Sequence, residues 1–374
     1  MIPWRLRKPV RRFRNALAAG LATIQQARRW RSIATRPPRA GALAVSYGVE
    51  RMPGADDVVI GGAVKFLILD EQLPNAARDF NVLYLGSSSL PIDARMLVRL
   101  ARRRGAAFAW NQNGVAYPGW YGPGWELVNR PRARMLRQAD HVFYQSSFCK
   151  LGADLFYGEP SGTWEILPNP VDTRRFVPAQ QAQRPLTLLL GGSQYQRYRV
   201  EVALETLALV RRAIPDARLR IGGALTFSSA AEAEVRELTR LLRLSDAVDF
   251  VGGYRRDEAP ALMHTADLLL HTKYNDPCPT VVLEAMSSGL PVVYSASGGT
   301  PELVGDDAGV GVPAPLDWER DHPPAVEQLA EAVLAAVARI DELRDAARAR
   351  AVERFDARAW VERHRTVFEG LVST

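Results

Sequence analysis

Short apolar runs alternate with longer stretches of helical periodicity along most of the chain, and glycine and proline mark the joins. ALAVSYG (42–48), DVVIGG (57–62), NVLYLG (81–86), AAFAWNQN (106–113) and ADHVFYQS (139–146) read as strands, the last closing the first half. Residues 63–73 and the basic segment 93–104 read as helices between them. A second series follows: LTLLLGG (186–192), ARLRIGG (217–223), VDFVGG (248–253), LLLHTK (268–273) and LPVVYSA (290–296), with a helix over 258–267. The Ala-rich stretches 325–340 and 342–372 are helical. Strands alternating with helices predict an α/β protein built on parallel, doubly wound sheets.

Two stretches break the pattern. NGVAYPGWYGPGW (113–125) has neither period, and its aromatic residues suit the C–H faces of a sugar or a lipid-linked acceptor as well as a packed lid. Tyr117 and Trp120, with Gly61 and Gly62 at a strand end, are the acceptor-side candidates. In EILPNPVDTRRFVPAQQAQRPLTLLLGG (165–192), three prolines followed by AQQAQ form a stiff, then loose, connector. At 374 residues the chain exceeds one ordinary core. We therefore expect a basic extension over 1–40, one domain over 41–177, a linker over 178–185, a second domain over 186–350, and a terminal helix over 351–374.

Charge changes the picture at the N-terminus. Residues 1–40 hold eleven basic side chains and no acid, so the net charge of +7 belongs to this tail; the remainder has 37 basic against 41 acidic residues. A nucleic-acid groove is therefore not expected. Val10, Phe13, Leu17, Leu21 and Ile24 form one helical stripe flanked by arginines, with Trp4 and Trp30 near its ends. Residues 1–36 thus read as a helix for an anionic membrane surface, or equally as a disordered basic leader or a helix packed on its own domain. Composition is 47% hydrophobic without a run long enough to span a bilayer. Cys149 and Cys278 read as small buried side chains of a reducing, cytoplasmic compartment, with the protein peripheral at the inner face of the membrane if the tail binds there.

The stretch Thr272–Val304 concentrates the chemistry. Pro279 suits the first helical position. The amides of Thr280, Val281 and Val282 then point out of the helix N-terminus, an anion site made of backbone. Glu284 lies one turn further in, Asp276 lies eight residues before it, and Gly289 reads as the helix stop. A diphosphate on the amides with a diol on Glu284 describes a nucleotide-sugar site. The strand-end glycines Gly192, Gly252 and Gly253 let a ligand approach the backbone. None of them forms G-x-G-x-x-G with a following acid, which argues against a dehydrogenase.

This segment resembles the donor motif of the glycosyltransferase family 4 type, in which two acids eight residues apart frame an apolar helix; here Asp276 stands at the first position. LPNPVDTRRFVP resembles that family's inter-domain signature. The resemblance implies a GT-B fold: two Rossmann-like domains facing a central cleft, with the last helix packing back on the first domain. It implies that Glu284 holds the ribose hydroxyls, Asp276 faces the donor sugar, and the backbone at Gly252 and Gly253 meets the base. Family members place an arginine after the glycine turn and a lysine about five residues on, both on the diphosphate. Here Ser193 takes the first place, and either Arg197 or Arg199 stands for the second. The histidine common at the end of a first-domain strand is replaced by WNQNG, leaving Asn111 and Asn113 as candidates to hydrogen-bond the sugar. The five histidines (His141, His264, His271, His322, His364) are taken as structural. The implied activity is retaining sugar transfer from a nucleotide-diphosphate sugar, as co-substrate and without a metal or further cofactor, to a glycan or lipid-linked acceptor. A nucleotide-sugar epimerase and a glycan- or nucleotide-binding protein with a decayed site are the alternatives.

Overall fold

A computed structural model describes residues 27–33, 39, 41–54, 61–180 and 184–373. The stripe from Val10 to Ile24, residues 57–60 of the second expected strand, and linker positions 181–183 lie outside the described residues. Residues 27–33 are helical.

Two parallel sheets form the frame. The first has five strands in the order β1 (Val45–Ser46), β2 (Val82–Gly86), β3 (Ala107–Gln112), β4 (His141–Tyr144) and β5 (Thr163–Ile166). The second has six strands: β6 (Thr187–Leu190), β7 (Arg218–Gly222), β8 (Val248–Gly252), β9 (Leu268–His271), β10 (Val292–Ala296) and β11 (Gly309–Pro313). They lie in the order β8-β7-β6-β9-β10-β11. That order reverses between β6 and β9, and open α/β sheets bind ligands at such a switch point, beyond the strands' carboxyl ends.

Alternation along each strand builds the cores. In the first sheet Leu83, Leu85, Phe108 and Trp110 face one core, while Val82, Tyr84, Ala109 and Phe143 face the other. In the second, Leu188, Leu190, Leu219 and Ile221 pack on one face, and Leu189, Leu269, Val292 and Tyr294 on the other. Strands buried on both faces explain the near-continuous apolar runs.

Three details differ from the expected elements. Gly61 and Gly62 open a helix, Gly61–Asp70, rather than closing a strand. The first sheet does not close at β4: TWEI adds β5 at the edge, where its exposed side chains hide the strand signal. The C-terminal stretch is two helices, Ile340–Phe355 and Ala357–Ser373. The second returns to the first sheet, where His364 sits 2.9 Å from the Tyr84 hydroxyl and stacks on Phe143. Both cysteines are free and buried.

Candidate active site

The helix Thr280–Ser287 starts where β9 hands over to a tight polar turn. Asn275 adopts a left-handed φ of 49°, held by its backbone N–H donating to Ser297 Oγ at 2.8 Å, and this turns Asp276 back toward β9. There Lys273 Nζ lies 3.1 Å and His271 Nε2 3.3 Å from Asp276 Oδ2. Burial alone would raise the Asp276 pKa. Lys273, His271 and Arg199 outweigh it and hold the carboxyl well below the usual carboxylate range. Burial depresses His271, so it is neutral near pH 7. At 1% exposed and off the cleft lining, it supports Asp276 from behind, in keeping with its reading as a structural side chain.

Pro279 is the N-cap, with extended φ −70° and ψ 115°, not the first helical residue. Its carbonyl accepts the Val282 amide at 3.1 Å, so the anion site narrows to the amides of Thr280 and Val281, which no side chain caps. The far end matches expectation: Gly289 at φ +73° and Leu290 donate to Met286 O and Ala285 O, a Schellman stop. Glu284 is half-buried one turn in. Burial pushes its pKa up to about 7, opposed by the more distant Arg256 and Arg175, and among the described residues no ion pair or hydrogen bond holds it.

Glycines bring the strand ends onto this helix. A side chain at Gly191 would meet Val281 Cγ2 at 2.7 Å, and one at Gly223 would meet Gly192 O at 2.0 Å. Gly192, Gly223 and Gly252 all have positive φ, and Gly223 donates to Gly252 O at 2.7 Å. Because β6, β7 and β8 are neighbours, these turns align beside Glu284 and Tyr254, whose hydroxyl pKa is raised to about 12 by burial and then by Glu284. Gly253 faces open space.

Opposite lies the first half of the chain, and the cleft between them encloses about 340 Å³. Ser87, Asn113, Tyr117, Trp120 and Arg132 line one wall, and Tyr195, Lys273, Asp276 and Pro277 the other. Tyr117 is buried against Trp318, with ring centroids 5.0 Å apart, while Trp120 remains partly exposed. The aromatic segment is thus both a packed lid and a cleft wall. Asn113 faces the cleft, although its Oδ1 already accepts the Gly114 amide at 2.8 Å. The halves are tied together at the donor motif: Ser146 Oγ donates to Pro277 O at 2.7 Å, Asn169 Nδ2 donates to Cys278 O at 3.0 Å, and Glu302 accepts the Ser147 amide at 2.8 Å.

Three sequence expectations need correction. Arg197 points to solvent and pairs with Glu201 and Glu234, because it opens the outer face of its helix. Arg199 is buried, donates to Ser193 O at 2.8 Å, and acts on Asp276 from behind. Asn111 is 1% exposed, and its Oδ1 accepts from Gln145 at 2.6 Å and from the buried Lys65, so it does not reach the cleft. Lys273, Arg132 and Tyr195 were missed; the one signal for Lys273 was its position on the stretch feeding the motif.

The fold and this site define a GT-B protein with its donor motif at the switch point of the second sheet. Residues 172–349 match the family described as glycosyl transferases group 1. It is 28% identical over 254 residues to the GDP-mannose-dependent alpha-(1-6)-phosphatidylinositol monomannoside mannosyltransferase of Mycolicibacterium smegmatis, a match covering 61% of this chain and 62% of that enzyme. It is 28% identical over 160 residues to a phosphatidylinositol N-acetylglucosaminyltransferase component from Arabidopsis thaliana, across 41% of this chain and 34% of that protein. The chain thus matches less than two thirds of the length of these relatives. Among solved structures, sucrose-phosphate synthase of Thermosynechococcus elongatus superposes with a TM-score of 0.64 at 18% identity, covering 82% of this chain and 76% of that one. Anabaena HepE in complex with UDP-glucose gives 0.63 at 18% identity, covering 82% of each chain.

Proposed function

We propose that this protein transfers a sugar from a nucleotide-diphosphate sugar to a glycan or lipid-linked acceptor, with retention of configuration and without a resident metal. Residues 186–350 act as the donor half and 41–177 as the acceptor half. The observation that carries the reading is one juxtaposition: Asp276, paired with Lys273 on the cleft wall, is followed along the chain by the bare amides of Thr280 and Val281 at the helix start and, one turn on, by the unpaired Glu284 carboxyl. The ribose diol bonds Glu284, the diphosphate meets the amides and the Lys273 ammonium, and the sugar extends toward Asp276. The acceptor hydroxyl attacks from the leaving-group face and the departing phosphate takes its proton. Catalysis then rests on positioning and on a fixed cationic field at the leaving group.

Two of the relatives are named for phosphatidylinositol-based substrates, which favours glycolipid or cell-surface polysaccharide synthesis at the inner face of the membrane. Among the described residues no helix is long and apolar enough to cross a bilayer. The test is incubation with a panel of nucleotide sugars and candidate acceptors, reading free nucleotide, glycosylated product and its anomeric configuration by NMR. Sugar on an acceptor with retained configuration supports the proposal. An isomerised donor sugar would point to an epimerase, and binding without turnover on every acceptor to a decayed site.

A further inference from the structure

Resting on the transfer reading of this cleft, we infer that the acceptor is an anionic amphiphile, held by a phosphate group against Arg132, with its apolar part over a second, outer cavity. Arg132 lines both the cleft and this neighbouring cavity of about 280 Å³. Its guanidinium is fixed by two backbone carbonyls, Ser87 O from Nε at 2.9 Å and Val128 O from Nη1 at 2.8 Å. Neither neutralises it, and among the described residues no carboxylate pairs with it. Asp276 is the only acid among the described residues lining the cleft, and Lys273 and His271 already engage it. A fixed, part-buried fork without a counter-charge matches a planar or tetrahedral oxyanion, which guanidinium binds bidentately.

The outer cavity specifies the remainder of the ligand. Its floor is Leu90, Pro91, Pro131 and Met135, its rim is Arg95 and Arg134, and no acid among the described residues lines it. Ile92, which also lines it, is fully exposed. Neither rim arginine makes an ion pair among the described residues. The adjacent Asp93 is turned inward, where it accepts from Trp30 Nε1 at 3.0 Å and lies 3.5 Å from Arg29. An apolar floor ringed by unopposed arginines and sharing Arg132 with the cleft fits a lipid phosphate better than a bare sugar.

The experiment titrates the full chain in two steps. A nucleotide diphosphate is added first, filling the donor side and reporting the fold of each variant. Glycerol 3-phosphate follows, with glycerol as control, and vesicles of phosphatidylinositol in phosphatidylcholine are titrated in parallel. Wild type should bind glycerol 3-phosphate and not glycerol, and Arg132→Gln should weaken this about tenfold or more, as expected for a charge-assisted bond. The double variant Arg95→Gln/Arg134→Gln should weaken vesicle binding while leaving glycerol 3-phosphate unchanged. Glycerol 3-phosphate binding equal in wild type and Arg132→Gln overturns the inference. Vesicle binding insensitive to the double variant overturns its amphiphile part and leaves a soluble phosphate acceptor. If the nucleotide step itself fails, the donor reading falls instead.

Discussion

Glu284 couples stability to function in a way that can be measured. Burial raises its carboxyl from the ordinary 4.5 to about 7, and no cation holds it within ion-pair distance among the described residues. A carboxyl whose folded pKa is raised carries no penalty below its unfolded pKa. The penalty grows as pH rises from about 4.5 to about 7 and is constant above. At 1.36 kcal/mol per pH unit this gap corresponds to about 3 kcal/mol, which solvent contact at the half-buried group trims to about 2. Glu284→Gln should therefore stabilise the nucleotide-free protein by about 2 kcal/mol at pH 8 and by almost nothing at pH 4.5, read from urea midpoints. On the proposed donor pose the same change should weaken donor binding about tenfold or more, because an amide would replace the carboxylate that accepts both ribose hydroxyls there. UDP-glucose and GDP-mannose do not titrate in this range. Calorimetry on whichever binds should show wild-type affinity rising with pH up to about 7 and a flat profile for the variant. Equal stability at pH 8 together with unchanged affinity would refute the reasoning.

Three further outcomes follow from the same geometry. Lys273→Met removes the nearest cation to Asp276 and, on the proposed pose, the cation that meets the leaving diphosphate; turnover should fall about 100-fold with the fold intact by circular dichroism, and near-wild-type kcat would exclude Lys273 from the site. Gly223→Ala places a methyl against Gly192 O at a φ of +108°, so it should cost more than about 2 kcal/mol and weaken nucleotide binding, both absent if the turn relaxes freely. His364 is held neutral, its pKa lowered to about 3 by burial. Its contribution is present above about pH 6.5 and is lost as pH falls toward 3, so His364→Phe should flatten the decline in denaturation midpoint between pH 6.5 and 4.5.

How far the sequence reaches is set by whether a feature is local. The Schellman stop at Gly289, the paired glycines after β6, β7 and β8, and the spacing of Asp276 and Glu284 each lie within one turn or one strand end, and all were legible. The strand β5 was not, because an exposed edge strand lacks the apolar run that marks its buried neighbours. Arg197 misled for a related reason. Spacing from the glycine turn cannot report which face of a helix a residue takes, and here the next turn supplies Glu201 as a solvent-side partner.

The cation at Asp276 shows why the remainder depends on three dimensions. A search for positive charge follows the chain past Gly192 and meets Ser193, then two arginines, one on the outside and one buried behind the carboxylate. The ammonium nearest Asp276 on the cleft wall instead comes from Lys273, two residues past the end of β9. β6 and β9 are adjacent only because the sheet reverses its order between them. A loss on one strand can therefore be compensated from the other with no trace in the spacing of either motif. Restoring an arginine with Ser193→Arg in the Lys273→Met background tests this directly. Recovery of turnover by more than about tenfold would show that the site needs a charge in that space rather than a residue at that position, and no recovery would make the Lys273 geometry specific.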